Sequence, residues 1–211
     1  TDSQDAEIRS ILACLSAGKM DTAAEQVEAA LSARGKVFCH SLIQACARAR
    51  NPKAAEWVVL QMERAGVPPD RITFNSMINA FAKVGNLGQC HKWWERMTSR
   101  GIRPNGITYN TMIKGCVHAR DARQAEHWMQ RMIDDKVRPC IVSFSTVIDA
   151  FAKSGSVPQA QDWFWKMADF GINPDAVIYN SLINACAKAG NPRRAEFWTA
   201  QAQSAGVAPD E

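Results

Sequence analysis

The stretch TFNSMINAFAKVGN, residues 73–86, contains the pattern that decides the fold. Its large apolar residues recur at the spacing of one face of an α-helix; they are Phe74, Met77, Ile78 and Phe81. Asn75 stands among them, although Asn is unfavourable inside a helix. The stretch returns as TYNTMIKGCVHARD from residue 108 and as IYNSLINACAKAGN from residue 178, each time with Asn in the same place. The pattern indicates a repeated helix in which this Asn has a function of its own.

A period of 35 residues runs through the chain. Proline recurs at this interval without a slip, as Pro69, Pro104, Pro139, Pro174 and Pro209. Internal repeats of this length are typical of solenoid proteins. The period predicts five repeats, residues 36–70, 71–105, 106–140, 141–175 and 176–210. Residues 1–35 are interpreted as a degenerate first repeat, with Ala24 and Leu31 on the apolar stripe of its second helix.

Each repeat contains two amphipathic helices when its positions are numbered 1 to 35. Positions 4, 7, 8 and 11 form an apolar stripe on the first helix, and positions 20, 23, 24 and 27 form one on the second. Position 16 carries residues that favour a helix N-terminus: Asn51, Asn86, Asp121, Ser156 and Asn191. Neighbouring helices must cover both stripes. The sequence therefore predicts an all-α fold, a right-handed α-solenoid of stacked helix-turn-helix repeats.

Composition excludes several classes of protein. The chain has 211 residues, of which 46% are apolar, and a net charge of +4. This is enough apolar surface for a packed core, and no apolar run has the length of a transmembrane helix. The seven Cys lack the spacing of a metal site and predict a reducing compartment. No nucleophile–base arrangement, metal site or cofactor motif is present, so we expect no catalysis and no cofactor.

The side of the first helix opposite the apolar stripe has an unusual composition. At 100° per residue, positions 2, 5, 9, 12 and 13 are expected on that side. Position 2 is always β-branched and aliphatic: Val37, Ile72, Ile107, Val142 and Val177. Position 5 is polar: His40, Asn75, Asn110, Ser145 and Asn180. Position 13 is basic: Arg48, Lys83, His118, Lys153 and Lys188. Position 35, just before the next helix, holds Asp70, Asn105, Cys140, Asp175 and Asp210.

This set repeats along one surface, so it indicates a ligand with a matching period. Single-stranded nucleic acid has flat apolar bases, polar base edges and a charged backbone, and it fits this description. Simpler interpretations exist for single positions. Position 35 could only cap the next helix, position 13 could only favour the negative end of the helix dipole, and position 2 could pack between repeats. A peptide-binding α-solenoid is the alternative function, although a peptide has no matching period of charge.

The chain resembles the pentatricopeptide repeat family in its plain, 35-residue class. The resemblance rests on the period, on TYNTMI at 108–113, on AKAGN at 187–191 and on A-E-x-W-x-x-x-M at 125–132. The repeat ending G-I-x-P-D at 171–175 also matches. It covers residues 36–210 fully and residues 1–35 weakly.

This resemblance implies an RNA-binding module in which each repeat selects one base, with the RNA running 5′ to 3′ from the first repeat to the last. Positions 5 and 35 select the base, the aliphatic residues at position 2 clamp it, and the cation at position 13 approaches a phosphate. Asn75 with Asn105 implies C, with U tolerated, and Ser145 with Asp175 implies G.

The remaining repeats complete the implied sequence. Asn180 with Asp210 implies U, with C tolerated, whereas Asn110 with Cys140 implies a pyrimidine. His40 with Asp70 leaves its base open. The expected core is 5′-N-(C/U)-Y-G-U-3′. The resemblance further implies a mitochondrial or plastid location, and it allows protein partners, further repeats or an enzyme domain outside this chain.

Overall fold

The computed structural model describes residues 2–207. Within this range the chain forms twelve α-helices and a short 3-10 turn at Ala168–Phe170, and it contains no strand. The helices are α1 (Asp2–Ser16), α2 (Met20–Arg34), α3 (Lys36–Arg48), α4 (Pro52–Arg64), α5 (Arg71–Ala82), α6 (Leu87–Ser99), α7 (Gly106–His118), α8 (Ala122–Asp134), α9 (Ile141–Lys153), α10 (Val157–Lys166), α11 (Ala176–Lys188) and α12 (Pro192–Ser204). The predicted all-α class is confirmed.

The chain divides into two compact units, Thr1–Pro104 and Asn105–Glu211. In the first unit, α1 pairs with α2, α3 with α4 and α5 with α6, and the first helices α1, α3 and α5 contact one another in order. In the second unit the pairs are α7 with α8, α9 with α10 and α11 with α12, and α7, α9 and α11 contact one another in order. Each 35-residue interval from residue 36 onward therefore contains one helical hairpin, stacked on its neighbour within its unit.

The apolar stripes form the core of each unit. In α5 the quoted stripe, Phe74, Met77, Ile78 and Phe81, is buried. The small residue at position 10 is buried in every repeat, which allows close approach of the helices. Five of the seven Trp lie in the core: Trp93, Trp94, Trp128, Trp163 and Trp198.

Helix starts follow the predicted caps, with one correction. Asn51, Asn86, Asp121 and Asn191 each accept a hydrogen bond from the backbone N–H three residues later, at 2.9–3.1 Å. Ser156 occupies the same place before α10 but makes no capping bond with its side chain. Its hydroxyl instead lies 3.3 Å from the hydroxyl of Ser154.

The degenerate first repeat also requires a correction. Helix α2 begins at Met20, so its buried stripe consists of Ala23, Val27, Ala30 and Leu31. Ala24, predicted on this stripe, is only half-buried. The core-facing side of α2 therefore includes Ala23 in place of Ala24.

Helix ends repeat the same backbone conformation. Gly66, Gly101, Gly171 and Gly206 adopt left-handed φ angles between 66° and 73° after their helices. Lys136 takes the equivalent place in the repeat of residues 106–140 with φ of 57°. The turn geometry of this repeat is therefore maintained by a residue with a Cβ atom, in a region where most side chains are strained.

Candidate nucleic-acid interface

The aliphatic residues at position 2 are exposed in all five repeats. Val37, Ile107 and Val177 are each about two-thirds exposed, and Ile72 and Val142 are 52% and 42% exposed. A single exposed aliphatic residue is ordinary, but its recurrence at the same position of every repeat indicates a shared role for these side chains. These side chains are available to a ligand with flat apolar faces.

In α3 and α7, position 5 lies at the seam with the next first helix of the same unit, and not on the open face as expected. Asn75, Asn110, Ser145 and Asn180 are half-buried, and His40 is 8% exposed. The small residues at position 12 are buried at Ala47, Ala82 and Ala152, which was also unexpected. Within each unit the two differences have one cause, because the first helix of the next hairpin covers this side of α3, α7 and α9.

In the first unit, the side chains at positions 5 and 35 meet. His40 Nε2 lies 3.0 Å from Asp70 Oδ1, and Lys36 Nζ lies 3.0 Å from Asp70 Oδ2. Asp70 also caps α5, since its Oδ1 accepts the backbone N–H of Thr73 at 3.0 Å. Thr73 completes the contact, with Oγ1 3.1 Å from His40 Nε2.

These contacts hold Asp70 in its charged form. Burial by itself raises the pKa of the carboxyl group, but the hydrogen bonds from Thr73 and Lys36 and the charge of His40 outweigh it. The net result lowers the pKa of Asp70 from 3.8 to about 2.

The second unit has an equivalent cluster around Asn110. Ser143 Oγ donates to Asn110 Oδ1 at 2.7 Å, and Asn110 Nδ2 lies 3.6 Å from Cys140 Sγ. The backbone N–H of Cys140 donates to Ser143 Oγ at 3.1 Å. Burial acts to raise the pKa of the Cys140 thiol, but the surrounding hydrogen bonds from Ser143 and Asn110 produce a net lowering. In both clusters the side chains at positions 5 and 35 of one repeat lie side by side, and both contact the hydroxyl at position 3 of the next repeat.

Position 35 is a helix cap as well as a candidate recognition residue. Asn105 Oδ1 accepts from Thr108 N at 3.1 Å, and Asp175 Oδ1 accepts from Ile178 N at 3.1 Å. The capping alternative raised by the sequence is thus correct as a structural role, and it coexists with a position beside the candidate interface. Asp210 lies outside the described residues.

Three of the basic residues at position 13 belong to the second unit and line two adjoining hollows. His118 and Lys153 line a hollow of about 590 Å³ together with Arg120 and Asp121. Lys153 and Lys188 line a groove of about 290 Å³ between α9 and α11. In the first unit, Arg48 is exposed and Lys83 is half-buried.

The groove of 290 Å³ brings the predicted classes of residue together. Val177, Asn180 and Lys188 line it, representing positions 2, 5 and 13 of one repeat. Asp149 also lines it and forms an ion pair with Lys153 at 2.7 Å. The groove can therefore offer an apolar surface, an amide and a cation to one ligand.

The sequence interpretation missed the hydroxyl residues at position 3, which are Thr73, Thr108 and Ser143. All three are buried and all three accept the N–H of the capping residue before the helix. The available signal was a Thr or Ser three residues after an Asp, Asn or Cys, which resembles a capping box.

Comparison with known proteins gives the family. The PPR repeat family model matches residues 34–83, 69–118 and 139–188. A pentatricopeptide repeat domain model matches residues 94–154, and a PPR repeat model matches residues 177–207. The chain belongs to the pentatricopeptide repeat family. A search of curated proteins gave no significant match.

Solved structures of the same family are similar. The chain matches PPR10 from maize with a TM-score of 0.77 and 25% identity, covering 89% of this chain and 27% of PPR10. PPR10 in complex with an 18-nt psaJ RNA element matches with a TM-score of 0.73 and 26% identity, covering 82% of this chain and 26% of that chain. The chain thus spans about a quarter of the length of PPR10.

A more distant similarity concerns the fold alone. The PPR domain of Arabidopsis thaliana protein-only RNase P 1, in complex with tRNA, matches with a TM-score of 0.68 and 13% identity. The match covers 83% of this chain and 93% of that domain. Among the helices of the described range, none is both long and apolar enough to cross a membrane.

Proposed function

We propose that this chain is a sequence-selective, single-stranded RNA-binding module that contacts one base per repeat and carries out no reaction itself. The groove between α9 and α11 carries this proposal, because an exposed aliphatic residue, a half-buried amide and cations line it together. The pentatricopeptide repeat protein PPR10, which shares 26% of its residues with this chain in the aligned region, has been solved bound to RNA.

Each class of side chain has a partner in an unpaired nucleotide. The aliphatic residues at position 2 would hold the face of a base, and the residues at positions 5 and 35 would bond to its edge. The cations at position 13 would lie near phosphates and release counterions on binding. The proposed core remains 5′-N-(C/U)-Y-G-U-3′, with its last base assigned to Asn180 and Asp210. The mitochondrial or plastid location and the reducing compartment stay predictions.

Selection from a randomised pool of short single-stranded RNAs tests this function. Sequencing of the bound fraction should give the proposed core, and the same sequence placed in a hairpin stem should bind at least tenfold more weakly, because paired bases cannot reach positions 5 and 35. Equal affinity for the stem and the unpaired strand would contradict base recognition. No enrichment, together with salt-insensitive capture of peptides, would favour the peptide-binding solenoid.

A further inference from the structure

A hydroxyl at position 3 of one repeat contacts the position 5 side chain of the repeat before it, in both units. Ser143 Oγ donates to Asn110 Oδ1 at 2.7 Å, and Thr73 Oγ1 lies 3.1 Å from His40 Nε2. Ser143 and Thr73 are both fully buried. They are therefore placed to act on a ligand only through the neighbouring residues at positions 5 and 35. Thr73 Oγ1 also donates to Asp70 Oδ1 at 3.1 Å, and Ser143 Oγ lies 3.6 Å from Cys140 Sγ.

The hydrogen-bond inventory around Ser143 fixes the direction of each bond. A serine hydroxyl has one hydrogen and two lone pairs. The backbone N–H of Cys140 donates to one lone pair at 3.1 Å, and the hydroxyl hydrogen is directed at Asn110 Oδ1. Cys140 Sγ, 3.6 Å from the same oxygen, can donate to the second lone pair. The carbonyl of the Asn110 amide therefore faces the seam. Its Nδ2 group lies on the side of Cys140 Sγ, 3.6 Å away.

We infer that Ser143 is a positioning residue that presents Asn110 to the ligand as a hydrogen-bond donor. The inference rests on the proposed function, in which Asn110 contacts the third base. C and U each carry two acceptors on the Watson–Crick edge, one of them the O2 carbonyl, whereas G carries one acceptor, O6, beside two donors. A donor fixed at this point would bond to either pyrimidine and would disfavour G. The structure thus supplies a reason why the third repeat would favour pyrimidines without separating C from U.

The fourth repeat lacks this arrangement and provides an internal contrast. Its position 5 residue is Ser145, and position 3 of the next repeat is Ile178, which has no hydroxyl. Ser145 Oγ donates instead to the backbone carbonyl of Val142 at 3.2 Å. The positioning effect is therefore expected at the third base and not at the fourth.

An isosteric pair of substitutions isolates the hydroxyl. Ser143→Thr keeps it and Ser143→Val removes it with the same side-chain volume. Threonine fits, because Thr73 and Thr108 occupy the equivalent place fully buried. With RNAs that differ only at the third base, the parent and Ser143→Thr should prefer C or U over G to the same extent. Ser143→Val should lose about 3- to 10-fold of that preference, the range of one neutral hydrogen bond.

Two further variants serve as controls. Thr146→Val removes a hydroxyl from the same helix that donates only to the Val142 carbonyl, at 2.6 Å, and should leave the preference unchanged. Asn110→Asp keeps an acceptor for Ser143 but removes the Nδ2 donor. It should lose the pyrimidine preference even if Ser143→Val fails to fold.

NMR of the Asn110 side-chain amide, without RNA, separates this inference from the proposed function. The two Nδ2 protons should keep their chemical shifts and slow exchange in Ser143→Thr and lose them in Ser143→Val. Identical amide spectra and identical base ratios for the two variants would overturn the inference. A difference between the amide spectra in a protein without base preference would support the positioning role and reject the proposed function.

Discussion

At the scale of single residues, Ser145 has the smallest position 5 side chain of the five repeats, and Asp175 of the same repeat caps the next helix. The substitution Ser145→Asn gives this repeat the same pair of residue types as Asn180 with Asp210. Because the amide is larger than the hydroxyl and carries its donor and its acceptor on separate atoms, the preferred fourth base should shift from G toward U. The expected change is about 1–2 kcal/mol, the scale of one good base contact.

Paired titrations of the parent and Ser145→Asn against RNAs that differ only at the fourth base measure this shift. Circular dichroism must show that the variant folds, since Ser145 is half-buried at the seam. A folded variant that keeps the preference of the parent for G would show that position 5 does not select the base.

Asp70 allows a prediction about stability and pH. Its folded-state pKa is lowered from 3.8 to about 2, so the native state favours the carboxylate. The stabilisation is therefore fully present above about pH 4 and is lost as the pH falls through about 2. Asp70→Ala should lower the free energy of unfolding at pH 7 by about 0.5–2 kcal/mol, the usual cost of losing an N-cap.

Asp70→Asn is the matched control because Asn also caps helices. It should retain most of the stability at pH 7 but lose the part of the pH dependence between pH 4 and 2 that Asp70 contributes. Urea unfolding at several pH values measures both quantities. The same acid dependence in the parent and in Asp70→Asn would show that another carboxylate is responsible.

At the scale of the helical hairpin, Lys136 is the exception among the residues that follow the second helices. Its φ of 57° costs energy because it has a Cβ atom, whereas glycine adopts this conformation freely. Lys136→Gly should stabilise the folded state by roughly 0.5–1 kcal/mol after the larger chain entropy of glycine in the unfolded state is subtracted.

The opposite substitution elsewhere provides the control. A Cβ added to Gly101 would meet no atom within 4 Å, so only its φ of 73° opposes Gly101→Ala. This variant should be destabilised by about 1–2 kcal/mol. Chemical unfolding measures the free energy of unfolding of both variants. Changes of the same sign in Lys136→Gly and Gly101→Ala would contradict the interpretation.

The helices could be predicted from the sequence because their signals are local. The apolar stripe of α5 and the cap at Asn51 depend on residues within one helix and its immediate neighbours along the chain. The seam could not be predicted in the same way. Periodicity shows which side of a helix is apolar, but it does not show how far the next helix covers the flank that holds Asn110 and Ala152.

At the scale of the whole molecule, the net charge is modest and the proposed phosphate contacts depend on a few placed cations. Four to five contacts to single-stranded RNA predict a slope of about −3 for log affinity against log salt concentration. The double substitution Lys83→Ala and Lys153→Ala should weaken binding to all RNA sequences alike and reduce the slope by about 1.4, at 0.7 for each contact.

A control with the same loss of charge removes Lys53 and Arg123, which are exposed on the second helices α4 and α8. Affinity for RNA is measured between 50 and 200 mM salt, a range over which about this many phosphate contacts change the affinity clearly. The salt slopes then distinguish the two double variants. Equal slopes for both would show that overall charge, and not position 13, governs binding.

The double role of position 35 limits how this chain can change its target. Asp70, Asn105 and Asp175 each start the next helix by accepting a backbone N–H. A substitution there costs stability unless the new side chain can still cap the helix, which favours a few short polar residues. Cys140, which begins α9 without a side-chain capping bond, shows that a poorer cap is tolerated in one repeat. The residue types that can recognise a base at this position are therefore drawn mainly from those that also favour the start of a helix. New specificities are reached most easily by exchange between Asp, Asn, Ser and Thr. For any other residue, the stability lost with the cap must be offset by added stability elsewhere in the repeats.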